Sequence, residues 1–184
     1  MRLDHIAYRV TNRHDGARTF KDLFDYTIGE EFQIAFEDGS FADCLALVPP
    51  EANNGIKSVL DIPWSINTPG VGQPLQFHMA PEIFVSDGTP GSIVGDWVAD
   101  RGGGGIHHMA YQVDNLDDIV EDWKDKGTLF LTEDVIECPE DDLRQIFTKP
   151  MSWIGGVIIE LIERGDKGFC KNSVKDLMKS TKGL

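Results

Sequence analysis

Apolar and polar positions alternate through residues 3–10. They place Leu3, His5, Ala7 and Arg9 on one face of a strand and Ile6, Tyr8 and Val10 on the other. The period then lengthens, with Ala17, Phe20, Leu23 and Phe24 at helical spacing within residues 15–26. Strands are predicted near 30–37 and 41–48, separated by Asp38-Gly39, a hairpin signal. Residues 49–75 hold five of the nine prolines together with Asn53-Asn54-Gly55. That composition predicts a long irregular insertion with a short helix around 56–61. A strand from about 76 to 86, interrupted by Pro81, and a helix over 91–100 follow, and Gly102 to Gly105 form a flexible joint.

The same order then returns. A strand over 106–113 leads into a helix over 116–126, with Leu116, Ile119, Val120 and Trp123 on one face. Short strands near 128–131 and 144–148 come next, then a strand within 155–163 and a closing helix at about 172–180. The repetition extends to residue identity: Asp4-His5-Ile6-Ala7-Tyr8 overlays His107-His108-Met109-Ala110-Tyr111. The expected fold is therefore α+β, with two paired β-α-β-β-β modules forming a curved open mixed sheet. Module one covers about 1–100 and module two about 105–165, within a single domain 1–184, and the concave face is the natural pocket.

Chemistry follows from the repeat. His5 and His108 occupy equivalent places on the two leading strands. Glu160 lies between Val157-Ile158-Ile159 and Leu161-Ile162, where an ionised carboxylate is costly without a compensating cation. Two imidazoles and one carboxylate can hold a divalent metal and leave open positions on it. Glu82, read as the pseudo-symmetric counterpart of Glu160, is a candidate fourth ligand or general base. Strict alternation turns His107 away from His108. His78 shares the parity of Glu82, with Pro81 between them, and His14 falls in a polar turn.

The net charge of −14 disfavours nucleic acid and membrane surfaces as partners and leaves a small-molecule substrate. Lys167, Lys171, Lys175, Lys179 and Lys182 read as a solvated helix face. Cys44, Cys138 and Cys170 are odd in number and lack a C-x-x-C, which predicts reduced thiols and a cytoplasmic protein.

The paired modules with His5, His108 and Glu160 resemble the vicinal oxygen chelate superfamily of glyoxalase, bleomycin resistance and dioxygenase proteins. Within it, Gln145-Ile146-Phe147-Thr148-Lys149-Pro150, Ile158 through Arg164, and Gly168-Phe169 are similar to the metal-binding domain of 4-hydroxyphenylpyruvate dioxygenase. That resemblance implies Fe(II) held by His5, His108 and Glu160, with Co, Mn, Ni or Zn also compatible. It implies substrate contact by Gln145, a ring pocket lined by Phe147, and dioxygen-dependent decarboxylation of a small 2-oxo acid. The chain departs from the pattern at Ile93, at Glu82 and at Asn172-Ser173-Val174. Residues 105–114 and the stretch from Pro81-Glu82 to Arg101-Gly102 also resemble methylmalonyl-CoA epimerases. That likeness implies enolate chemistry with Glu82 as ligand or acid/base. A small-ligand binding module is the third reading, and a homodimer is compatible with paired-module proteins.

Overall fold

The computed structural model describes residues 1–50, 80–165 and 170–184. The expected helix at 56–61, the insertion around it, the start of the strand near 76, His78 and Gly168-Phe169 all lie outside the described residues.

The chain runs β1 (Arg2–Arg9), α1 (Arg13–Phe24), β2 (Thr27–Ala35), β3 (Phe41–Val48), β4 (Glu82–Gly88) and α2 (Ile93–Asp100). It continues with β5 (Gly105–Gln112), α3 (Leu116–Asp125), β6 (Ile136–Cys138), β7 (Leu143–Phe147), β8 (Ile158–Arg164) and α4 (Lys171–Ser180). The eight strands form one mixed sheet in the order β2-β3-β4-β1-β5-β8-β7-β6. It is the curled, open α+β half-barrel expected of paired modules. β1 and β5 meet antiparallel at the centre, and each pairs in parallel with the last strand of its own module, β4 or β8.

Local chemistry explains the boundaries. The Asn12 side chain caps α1 by accepting from the backbone N–H of His14 and Asp15, and Asn115 caps α3 through Asp118. β4 starts only after Pro81, which has no N–H to give to a ladder. The Pro81 carbonyl accepts from the Tyr26 hydroxyl at 2.7 Å instead. The glycine run is a fitted turn rather than a loose joint. A Cβ on Gly104 would stand 2.6 Å from the Arg9 carbonyl oxygen, and Gly102 and Gly103 take positive φ.

Two expectations are corrected. The strand near 128–131 reduces to one bridge, Phe130 to Thr148, and the edge strand is instead β6, which Pro139 terminates. The cysteines are not all reduced thiols: Cys138 and Cys170 form a disulfide across 32 residues, while Cys44 is free and buried. The start of α4 packs on β6, so the two sulfurs meet through tertiary structure, which no local spacing reveals. Burial pushes the Cys44 thiol up to about 12, which leaves it inert as a nucleophile.

The sheet separates two environments. On its outer face, Ile6, Tyr8 and Val10 pack with Ala17, Phe20, Leu45 and Val85 under α1, and Leu116, Val120, Ile146 and Leu161 pack under α3. On its inner face, α4 lies across the trough and contributes Val174, Leu177 and Met178. Its lysines bridge rather than stand free: Lys175 and Lys179 reach Glu37 at 3.2 and 2.7 Å. Among the described residues no helix is long and apolar enough to cross a membrane.

Candidate metal centre

The inner trough holds about 440 Å³ of unfilled space, part of it open to solvent. Its walls include His5, His108, Glu160, Phe84, Gln145 and Phe147, and α4 covers it. His5 Nε2, His108 Nε2 and Glu160 Oε2 converge on one point, at 3.2 Å between the imidazoles, 3.4 Å from His5 to Glu160 and 3.2 Å from His108 to Glu160. The carboxylate is 1% exposed and sits among the aliphatic residues of β8.

Two β-bulges build the support for this cluster. Along β1 and β5, Leu3 faces Tyr111 and His5 faces Ala110, so Asp4 is an extra residue on β1. Further on, Ala7 faces His108 and Tyr8 faces Ile106, so His107 is an extra residue on β5. A bulge breaks the inward–outward alternation locally. Asp4 and His107 therefore turn inward beside the histidines that follow them, and the expectation that His107 points away from His108 is corrected. Asp4 Oδ1 lies 2.8 Å from His5 Nδ1, and His107 Nδ1 lies 2.8 Å from His108 Nδ1. Each Nδ1 is engaged, which leaves each Nε2 directed at Glu160. That is how proteins orient imidazole ligands. Arg164 in turn clasps Asp4, with Nε donating at 2.9 Å and Nη2 donating to the other oxygen.

The register also relocates Glu82. His5 pairs with Glu82 and Ala7 with Phe84, whereas His108 pairs with Ile158 and Ala110 with Glu160. Superimposing the modules by their histidines makes Phe84, not Glu82, the counterpart of Glu160. The Glu82 carboxylate instead accepts from Arg164 Nη2 at 3.3 Å and does not join the cluster. Gln145 and Phe147 both reach the trough. Gln145 Nε2 donates to Ser173 Oγ of α4 at 2.6 Å, and the Phe147 ring lies 4.8 Å from that of His108.

Charge in the cluster is balanced internally. Burial pushes the Glu160 carboxyl up, but His108 and His5 outweigh it and bring it down to about 2. Burial lowers His5, but Asp4 and Glu160 outweigh it and raise the imidazole to about 9. Burial dominates at His108 and lowers it. Asp4 is pushed up by burial yet held well below the usual carboxylate range by His5 and Arg164. The donor set fits a divalent cation: two imidazole nitrogens and a carboxylate oxygen, buried, mutually close and held from behind. A second group, Cys138, Asp141 and Cys170, also comes together, but its sulfurs are joined to each other.

Arg9, which parity had placed on the His5 face without a role, also lines the trough, together with Ser86. It is 2% exposed, and burial pushes its guanidinium down to about 9.

Comparison with known proteins agrees with this geometry. Residues 4–147 match the model of the glyoxalase/bleomycin resistance protein/dioxygenase superfamily. The chain belongs to that superfamily. No curated protein matches it by sequence. Among solved structures, a triple mutant of 4-hydroxymandelate synthase from Streptomyces coelicolor is similar with a TM-score of 0.73 at 18% identity, covering 98% of this chain. The chain spans about half of that protein, 53% of its length. Methylmalonyl-CoA epimerase from Mycobacterium tuberculosis is similar with a TM-score of 0.58 at 20% identity, covering 89% of this chain and 87% of its own. A selenomethionine-labelled methylmalonyl-CoA epimerase gives 0.60 at 21% identity, covering 90% and 97%. A 4-hydroxymandelate synthase and methylmalonyl-CoA epimerases thus share this fold.

Proposed function

We propose that this protein is a mononuclear metal enzyme resembling 4-hydroxyphenylpyruvate dioxygenase, using Fe(II) and dioxygen to decarboxylate a small 2-oxo acid. The observation that carries the reading is Phe84. The position from which module one could supply a fourth ligand holds a phenyl ring, 5% exposed. Three protein ligands leave three positions on an octahedral ion, enough for a chelating oxo acid and dioxygen. When bound, the metal would polarise the oxo acid and bring dioxygen to it.

The chain's own residues do the rest. His5, His108 and Glu160 would hold the ion, and Asp4 and His107 keep the two imidazoles in register. Phe147, Phe84, Val174, Leu177 and Met178 supply apolar walls that exclude bulk water. Gln145 ties β7 to α4 through Ser173 and faces the substrate space. The enolate alternative needs a base beside the substrate. Its candidate, Glu82, is held by Arg164 instead, which favours the dioxygenase reading.

The deciding experiment is oxygen uptake by the Fe(II)-loaded protein across aryl and alkyl 2-oxo acids. Ferrous-dependent uptake matched by carbon dioxide release is expected. No uptake across the panel, with Co(II)-supported deuterium exchange at an α-carbon, would replace this reading with the epimerase type.

Metal binding must also displace the proton that His5 holds. Its folded-state value, raised from 6.5 to about 9, contributes stability that is complete below pH 6.5 and lost as pH rises to about 9. Glu160, lowered from 4.5 to about 2, contributes stability above pH 4.5, so it is constant across that window. His108, lowered, acts below 6.5. Chelator-treated protein should therefore lose a few degrees of melting temperature between pH 6.5 and 9. Metal-saturated protein, with no proton left on His5 to lose, should not. Equal slopes with and without metal would mean that the ion binds elsewhere.

A further inference from the structure

Among the described residues, Arg9 is a buried cation with no carboxylate to answer it. Its Nη2 donates to Thr181 Oγ1 at the end of α4, at 2.9 Å. Its Nη1 has no hydrogen-bond partner among the described residues. Among the described residues, the ionisable groups it interacts with are Arg101, which repels it, the buried Cys44 thiol, and the imidazoles of His107 and His108, whose protonation it opposes. Both arginines lie over the Trp97 ring, with the guanidinium carbon of Arg101 4.1 Å from its centre and that of Arg9 at 5.6 Å. An arginine does not shed its proton in a protein, so burial without a counter-charge is costly unless something supplies one. In a chain with 31 acidic residues and 17 basic ones, an internal carboxylate partner would be easy to provide.

A second orphan stands beside it. His107 is 3% exposed, and its Nε2 is likewise without a partner among the described residues. Its ring meets Trp97 edge-on, with centroids 5.4 Å apart, so Arg9 and His107 flank the same indole. Both line the trough. They lie at the Trp97 end, displaced along β1 and β5 from the convergence of His5, His108 and Glu160. If His108 keeps Nε2 free for a metal, its Nδ1–H donates to His107 Nδ1, and His107 Nε2 then carries a hydrogen to offer.

We infer that Arg9 and His107 form an anion subsite, and that the ligand of this pocket carries a second carboxylate at the end remote from the metal. This rests on the proposed metal site for the ligand's first end only. A carboxylate suits the subsite better than a phosphate, because one guanidinium matches one negative charge and a dianion would leave half of its charge buried and unmatched. The apolar walls between the two ends, Ala7 and Phe84 on one side and Leu177 and Met178 on the other, suit a short methylene chain. The substrate class is therefore a 2-oxo diacid.

The test compares 2-oxoglutarate and 2-oxoadipate with 2-oxopentanoate and 2-oxohexanoate, which match them in chain length and lack the distal carboxylate. Binding is measured by calorimetry on Co(II)-loaded and on chelator-treated protein. At one chain length or both, the diacid should bind roughly tenfold tighter or better, as a charge-assisted pair gives. Arg9→Met should erase that preference while leaving the monoacid and Co(II) affinities in place. Arg9→Lys, which keeps the charge, should retain part of it, and it decides the matter if the methionine variant does not fold. Diacid preference in a protein that binds no Co(II) would sink the metal reading and still support the subsite. Equal binding of acid and diacid at both lengths, tighter binding of alkyl phosphates, or a preference untouched in Arg9→Met would overturn it.

Discussion

Alanine at position 160 should strip the protein of divalent metal and lower metal-dependent turnover by roughly 10³-fold or more, since even supporting partners of metal ligands are worth ~10–100-fold. Among the described residues, Glu160 is the carboxylate that both His5 and His108 touch, and it supplies the negative charge of the donor set. Without it, two imidazoles remain in a buried site, and no carboxylate is left in the described donor set to offset a cation. Glu160→Gln is the sharper variant, because it preserves volume and one acceptor oxygen while removing the charge. Atomic absorption should give one metal per chain for the wild type and none for the two variants. Glu82→Gln is the matched control. Its carboxylate lies against Arg164 rather than in the cluster, so its metal stoichiometry should stay at one. Metal retained in Glu160→Gln and lost in Glu82→Gln would reverse the assignment of the third ligand.

Much of this centre is legible in the sequence, and the parts that are not share a cause. The repeated Asp4–Tyr8 and His107–Tyr111 stretches identified His5 and His108 as equivalents, and alternation along β8 turned Glu160 inward. The first is a repeat at an offset of 103 residues and the second a local regularity of period two, and both survive without knowledge of strand pairing. Asp4 and His107 escaped because a bulge adds a residue without leaving a mark in the hydrophobic pattern. Glu82 was matched to Glu160 by a slip of two residues. Such a slip keeps every side chain on its own face, so alternation cannot detect it, and only the pairing of His5 with Glu82 and Ala110 with Glu160 does. Arg9 was on the correct face from the start. What sequence could not show was that no described carboxylate answers its charge, because a counter-ion can come from anywhere in the chain. The Cys138–Cys170 bond belongs to the same class, created by α4 folding back on β6.

Removing Arg164 should damage stability and metal binding together, and the two losses can be separated. Arg164 donates twice to Asp4, whose side chain is only 3% exposed, and once to Glu82. Breaking a buried pair by deleting one partner leaves the other charge uncompensated, at a cost of ~3–5 kcal/mol. For a chain of this size that lowers the melting temperature by about 10 °C. The sign with pH follows. Asp4 is held below its ordinary 3.8, so its contribution is complete above that value and lost as pH falls through the lowered one. In Arg164→Ala the burial that already opposes ionisation goes unanswered on that side, the carboxyl rises, and acid unfolding begins at higher pH. His5 then loses the charged acceptor that fixes its Nδ1, and metal affinity should fall ~10–100-fold. The double variant Asp4→Asn with Arg164→Met removes both charges, and it should recover most of the lost stability because no buried ion is stranded. It should not recover metal affinity, since a neutral amide is a weaker acceptor for the His5 N–H. If melting temperature and metal affinity recovered together, Asp4 would matter only to the fold. Recovery of stability alone would establish the path from Arg164 through Asp4 to His5 as the means by which this chain aims its first ligand.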